Sequence, residues 1–144
     1  HISNYLGFAF EYIVGMASLT LGGLLKDFPN LKFCFFEAGG SWLPWAMYTL
    51  DRVYGIEPQC ARCEIEPSEH IRQSCLVAVE PDEQTLAGAV QSIGSKNFII
   101  GSDYPHPPST YPNTAAGIEE MAGLSREAKD DILGRNLQEL FGIA

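Results

Sequence analysis

The sequence predicts an α/β fold built on a small parallel sheet, and three observations carry that reading. Short apolar runs at 31–36, 74–79 and 97–101 are separated by segments with helical periodicity. Each run is continuous rather than alternating, the pattern of a strand covered on both faces. Strand and helix follow one another in turn, which gives parallel strands joined by right-handed crossovers. The length, 144 residues, sets the outer bound. It is enough for one core, whereas a closed (β/α)8 barrel needs about 200 residues at the least. Any barrel signature must therefore belong to part of a barrel, and with no repeat or linker in view residues 1–144 read as a single domain.

Residues 12–26 read as a helix, apolar on most sides and so expected to be buried. It is closed by Asp27-Phe28-Pro29, because proline cannot continue a helix and biases the residue before it away from helical geometry. The wider stretch 7–25 is apolar, but it carries Glu11 and four glycines and lacks a basic anchor on its N-terminal side. A core helix is expected there, and no membrane partner. The first strand, 31–36, runs out into Glu37-Ala38-Gly39-Gly40. Ser41 is placed to cap a helix over 42–54, with Pro44 in the first turn and Leu43, Met47, Leu50 and Tyr54 on one face.

Residues 55–67 lack periodicity and read as a loop. Ser68 reads as the cap of a single turn reaching Gln73, just ahead of the second strand. Glu80-Pro81-Asp82-Glu83 reads as the opening of a helix that Gly94 ends, since proline and carboxylates suit a helix N-terminus. The third strand runs into Ser102-Asp103-Tyr104-Pro105-His106 and a loop held by Pro105, Pro107 and Pro108. Helices over 114–122, 125–133 and 135–141 close the chain.

Lys and Arg number 9 against 18 Asp and Glu, a net charge of −9, so a phosphate-tracking surface has few bases to draw on and nucleic acid is not an expected partner. No secretory signal pattern opens the sequence, and His1 reads as an internal start within a longer chain. Cys34 and Cys75 sit inside apolar runs, where a reduced thiol behaves as a small hydrophobe, so a cytoplasmic location is expected. Cys60-Ala61-Arg62-Cys63, with His70 beyond it, offers three ligands for zinc or a redox pair. No second CxxC follows and no strand precedes it, so ordinary loop cysteines and a solvated His70 are the expectation.

In β/α folds the chemistry gathers where strands end, on the loops that lead into helices. Two strands end on pointed residues. Glu37 is followed by Gly39 and Gly40, which let the backbone turn sharply, and Asp103 stands three residues before His106. A carboxylate beside an imidazole suits a divalent metal. The competing roles are a Glu37–arginine pair and a turn carboxylate at Asp103 that bonds nearby amides.

The segments Phe35-Phe36-Glu37-Ala38-Gly39-Gly40-Ser41-Trp42-Leu43-Pro44, Leu50-Asp51-Arg52, Glu66-Pro67-Ser68-Glu69 and Gly101-Ser102-Asp103-Tyr104-Pro105-His106, with the closing Ile132-Leu133-Gly134-Arg135-Asn136, resemble the amidohydrolase-related branch of the amidohydrolase superfamily, which includes aminocarboxymuconate-semialdehyde and resorcylate decarboxylases. The resemblance implies the C-terminal portion, about three β/α units, of a metal-dependent TIM barrel. It implies that Asp103 is a metal ligand, usually of zinc, and takes a proton from metal-bound water. It puts Glu37 where many relatives carry an acid–base histidine. The family's His-x-His pair and strand-5 histidine have no counterpart in these residues.

The function expected from this reading is hydrolysis or non-oxidative decarboxylation of a small carboxylated or cyclic substrate, with Asp103 and Glu37 catalytic. Trp42 and His106 are the candidates for substrate contact, against packing for Trp42 and loop positioning for His106. Two rivals stand beside it: an inactive half-barrel, and a small zinc or thiol module centred on Cys60 and Cys63. A three-stranded sheet leaves two edges unpaired, with only Lys32 as a charged defence. Homo-oligomerisation, or pairing with an N-terminal half, is therefore expected, driven by Phe33, Phe35 and Ile99 at about 1.5–3 kcal/mol for each side chain covered.

Overall fold

The computed structural model describes residues 2–107 and 109–143, so His1, Pro108 and Ala144 lie outside the described residues. Its centre is a sheet of β1 (Phe33–Phe35), β2 (Cys75–Val79) and β3 (Phe98–Ile100), in that order and parallel throughout. Each strand is shorter than its apolar run. Phe33 stands opposite Cys75, Phe35 opposite Val77, Val77 opposite Phe98 and Val79 opposite Ile100. Because strand side chains alternate, this register gathers those residues on one face. There they join Met16, Leu43, Met47, Leu50, Ile71, Leu86, Ile118 and Ile132 in one core.

The opposite face carries Cys34, Leu76, Ala78 and Ile99, and it corrects two expectations. Cys34 is exposed rather than packed. Phe33 and Phe35 point into the helical layer and Ile99 is buried, so the apolar group left open beside β1 is Phe36, 47 % exposed. The chain's pattern marked all these residues as apolar without telling which face had a cover.

The first helix, α1 (Ile2–Leu19), begins earlier than expected and stops at a turn through Thr20–Gly23, where Gly23 takes a φ of 84°. The short α2 (Leu24–Asp27) follows. The expectation of an all-round buried helix fails: Met16 and Leu25 seal the core, but Leu6, Phe10 and Val14 are exposed. Their four-residue spacing puts them in one stripe. Among the described residues, no helix is long and apolar enough to cross a membrane.

Helix α3 (Leu43–Ile56) buries Leu43, Met47 and Leu50 as the periodicity predicts. Ser41 does not cap it; its Oγ lies 2.5 Å from the Thr85 hydroxyl. The expected loop contains a 3-10 turn at Pro58–Cys60. Helix α4 (Pro67–Ser74) opens on proline, and Ser68, read as its cap, instead donates its amide to Asp51 Oδ1 at 2.8 Å. Helix α5 (Leu86–Ile93) starts well after Glu80 and ends at Gly94, φ 85°. Helices α6 (Thr114–Glu120) and α7 (Arg126–Asp130), a π-type turn at Asp131–Arg135, and α8 (Asn136–Phe141) complete the chain.

At the start of the strands polar side chains tie these layers together. Asn97 Nδ2 donates to the carbonyls of Cys75 (2.8 Å) and Ile71 (3.1 Å), and Asn136 Nδ2 to those of Phe98 (2.7 Å) and Ser95 (2.8 Å). Asp131, 1 % exposed, accepts from Ser95 Oγ, Lys96 Nζ and Arg135 Nη1 at 2.6, 3.2 and 2.9 Å. Burial opposes its charge, yet these donors outweigh burial and hold the carboxyl below its ordinary value.

Candidate active site

Parallel strands bring all their C-terminal ends to one edge of the sheet, so Glu37 after β1, Glu80 after β2 and Asp103 after β3 stand along a common rim. Glu37 and Asp103 are the two carboxylates the sequence singles out. Both take left-handed backbone geometry, φ 77° and 55°, a region side-chain-bearing residues seldom occupy. Such outliers often mark functional turns.

Asp103 is held by its own loop. Its Oδ2 lies 2.9 Å from His106 Nδ1, and its carbonyl accepts the His106 amide at 2.8 Å. The imidazole is exposed, and its pKa is raised by the Asp103 hydrogen bond first, then by Asp103's charge, with a smaller push from Glu37. Behind it, Ser109 Oγ and the Thr110 amide both donate to the Ser102 carbonyl, at 2.6 and 3.2 Å. His106 therefore orients the carboxylate, and Glu37 is close enough for its charge to be felt across the rim.

Glu80 is the residue that sequence reasoning missed. It ends the central strand, between the other two, and its carboxyl is raised above the ordinary range by burial first, then by Asp82, Glu83, Asp103 and Glu37. The signal was present, since Glu80 follows an apolar run as Glu37 and Asp103 do. It was assigned instead to a helix N-terminus. Glu80 lines an open cleft of about 420 Å³ with Glu37, Ala38, Gly39, Asp82, Glu83 and Thr110. Asp103 is not among the lining residues, so the two predicted carboxylates share an edge and a field rather than one cavity wall.

Trp42 is turned to the packed side. Its indole lies 6.3 Å from the Phe35 ring and 6.2 Å from Tyr12, and its Nε1 donates to the Gly39 carbonyl at 2.8 Å. The structure thus gives it packing and loop-anchoring contacts. Tyr12 closes that aromatic group, 5.2 Å from Phe35, with its hydroxyl pKa raised by burial and then by Glu37.

Among the described residues no group of three His, Cys, Asp or Glu side chains is placed to hold a metal ion. Asp103, with one oxygen engaged by His106, fits one arm of a cation site and not a closed set. The Cys60–Cys63–His70 constellation is not assembled: Cys60 is exposed on its turn, Cys63 is buried, and both are free thiols. His70, expected in solvent, is instead buried on α4 with Nε2 lacking a partner, and burial lowers its pKa.

A family model described as Amidohydrolase matches residues 6–143. The chain belongs to the amidohydrolase family. It is 30 % identical over 141 residues to a 2-amino-3-carboxymuconate-6-semialdehyde decarboxylase of Dictyostelium discoideum, a match covering 96 % of this chain and 38 % of that protein. An amidohydrolase structure from Mycobacterium avium subsp. paratuberculosis superimposes with a TM-score of 0.74 at 24 % identity, covering 88 % of this chain and 32 % of the other. A dihydroxybenzoic acid decarboxylase from Polaromonas, bound to manganese and the inhibitor 2-nitroresorcinol, superimposes with a TM-score of 0.68 at 21 % identity, covering 94 % and 40 %. The chain therefore has the fold of part of a family barrel and spans well under half of these relatives. Manganese, not the expected zinc, is the metal in the Polaromonas enzyme.

Proposed function

We propose that this chain is the C-terminal portion of a non-oxidative decarboxylase that acts on a small carboxylated cyclic substrate with a divalent metal, manganese or zinc. The observation that carries the reading is the rim itself. Glu37 and Asp103 leave parallel strands at the edge where β/α barrels do their chemistry, in a chain of this family whose relative is a decarboxylase. Loss of CO2 leaves an electron pair on the carbon that held the carboxylate, and that carbon must take up a proton. Glu37 is the acid–base group facing that position, and Glu80, whose carboxyl keeps its proton to higher pH, can hold one beside it. Asp103, oriented by His106, offers one carboxylate arm to the cation.

The remaining ligands come from a complementary β/α portion, which would also cover the open edges of β1 and β3 and the Leu6–Phe10–Val14 stripe; a second copy of the chain is the competing occupant. Sedimentation at micromolar concentration reads this association directly, and a persistent 15.8 kDa monomer argues against it. The activity is tested by CO2 release from 2,6-dihydroxybenzoate with manganese or zinc. The chain alone is expected to be inactive, because its ligand set is open. Joined to the remaining barrel portion of the Dictyostelium relative, it is expected to release CO2, and Asp103→Ala to abolish release. Turnover by the chain alone, or turnover indifferent to Asp103, would falsify the reading.

A further inference from the structure

We propose that Glu83 is a positioning residue that fixes the stance of Glu37, clamping the loop after β1 from the segment that follows β2. This rests on the reading of Glu37 as the acid–base group. Within the loop the Trp42 indole holds the Gly39 carbonyl, but Ser41 is turned to Thr85 and no side-chain hydrogen bond caps α3. Two loop amides just ahead of α3 are met by a carboxylate more than forty residues away. Gly40 donates its amide to both oxygens of Glu83 at 3.0 Å, and Ser41 donates to Oε1 at 2.7 Å. Bonds from amides to an ionised carboxylate are stronger than neutral ones, and two converging amides fix direction as well as distance.

The fit under the loop is close. A Cβ on Gly39, whose φ is 61°, would come within 3.0 Å of Glu83 Oε1. On the far side the Trp42 indole holds the Gly39 carbonyl, and the Ser41–Thr85 contact ties the same two segments a second time. Glu37, at a φ of 77°, stands three residues before Gly40, the first amide that Glu83 holds. Left-handed geometry at a glutamate is strained and persists only where its surroundings impose it. Glu83 also adds negative charge beside Glu80 and Asp82, an unfavourable placement that the two amide bonds offset.

The test is a nuclear magnetic resonance comparison of the labelled chain with Glu83→Ala and Glu83→Gln at one neutral pH, needing neither metal nor turnover. In the parent chain the Gly40 and Ser41 amide protons are expected downfield and protected from exchange. Glu83→Ala is expected to lower their protection at least tenfold and to move the Glu37 Cα and Hα resonances away from left-handed values. Glu83→Gln keeps one acceptor oxygen and the same volume, so it is expected to restore part of both signals, while Asp103 and His106 stay unmoved throughout. If Glu83→Ala does not fold, Glu83→Gln decides through the same Glu37 resonances. Glu37 unchanged in the folded variants, whatever happens at Gly40 and Ser41, overturns the proposal. A failed CO2 assay would bear on the decarboxylase reading alone.

Discussion

The two ends of the sheet treat charge in opposite ways. Where the strands begin, Asp131 is buried and met by a hydroxyl, an ammonium and a guanidinium, and Asn97 and Asn136 spend their amides on main-chain carbonyls. Where the strands end, burial and then the surrounding carboxylates, Asp103 and Glu37 among them, raise the cost of ionising Glu80, and Glu37 and Asp103 hold left-handed backbone. The first arrangement lowers the pKa of Asp131 and the second raises that of Glu80. The histidines divide the other way: His70, on the helix leading into β2, is driven towards neutrality by burial, and His106 on the rim towards its charged form by Asp103. The difference matches the proposed division, with the lower end holding the fold together and the rim reserved for a ligand, as in β/α barrels generally.

The largest effect is expected from the core that both ends share. Phe98 is fully buried, and its ring lies 2.8 Å from where a Cβ on Gly40 would stand. Phe98→Ala is predicted to cost about 3–5 kcal/mol in urea unfolding. A loss below 1 kcal/mol would mean that the layer under the rim is loosely packed. Gly40→Ala overpacks the same spot from above, meeting Val79 at 2.7 Å as well, and is predicted to cost about 1–3 kcal/mol. A neutral Gly40→Ala would show that the rim loop is not seated on the core.

Glu37 and Asp103 were legible because each follows an apolar run and precedes a turn-forming segment. Glu80 met the same description, but the Pro81-Asp82-Glu83 that follows it is also the signature of a helix start. That signature misleads here because Glu83 gives its carboxylate to Gly40 and Ser41, a long-range bond that no local pattern records, and α5 starts only at Leu86. Helix α3 was legible from its periodic apolar face. For α1 the apolar content was legible but not its cover, since Leu6, Phe10 and Val14 look like core residues until the packing is known.

The histidines sharpen the contrast with smaller effects. His70 has a folded pKa below its unfolded one, so the unfolded chain takes up its proton first as pH falls. The stability that a neutral His70 contributes should therefore shrink as pH drops through about 6.5 towards the lowered folded value, and that contribution should be gone below it. His70→Gln should flatten that limb of the pH–stability curve relative to the parent, and an identical limb would remove His70 from the account. His106 has the opposite sign: what it contributes is present below its unfolded pKa and lost as pH rises through the raised folded value. Asp103→Asn should bring the His106 imidazole titration back towards that of a free histidine. A titration unmoved by Asp103→Asn would show that the pair does not form in solution.

The contrast between the two ends is tested most directly by neutralising one carboxylate at each and measuring both variants in urea at pH 7. Asp131→Asn removes the buried charge that Lys96 and Arg135 share, leaving them Glu139 and Asp130 alone, and is predicted to lower stability by about 1–3 kcal/mol. Glu80→Gln replaces a carboxyl whose ionisation burial and its neighbours disfavour, and is predicted to leave stability unchanged or raise it by about 0.5–2 kcal/mol. Opposite signs, or a loss confined to Asp131→Asn, are the result this division of labour predicts. Equal losses from the two substitutions would contradict it.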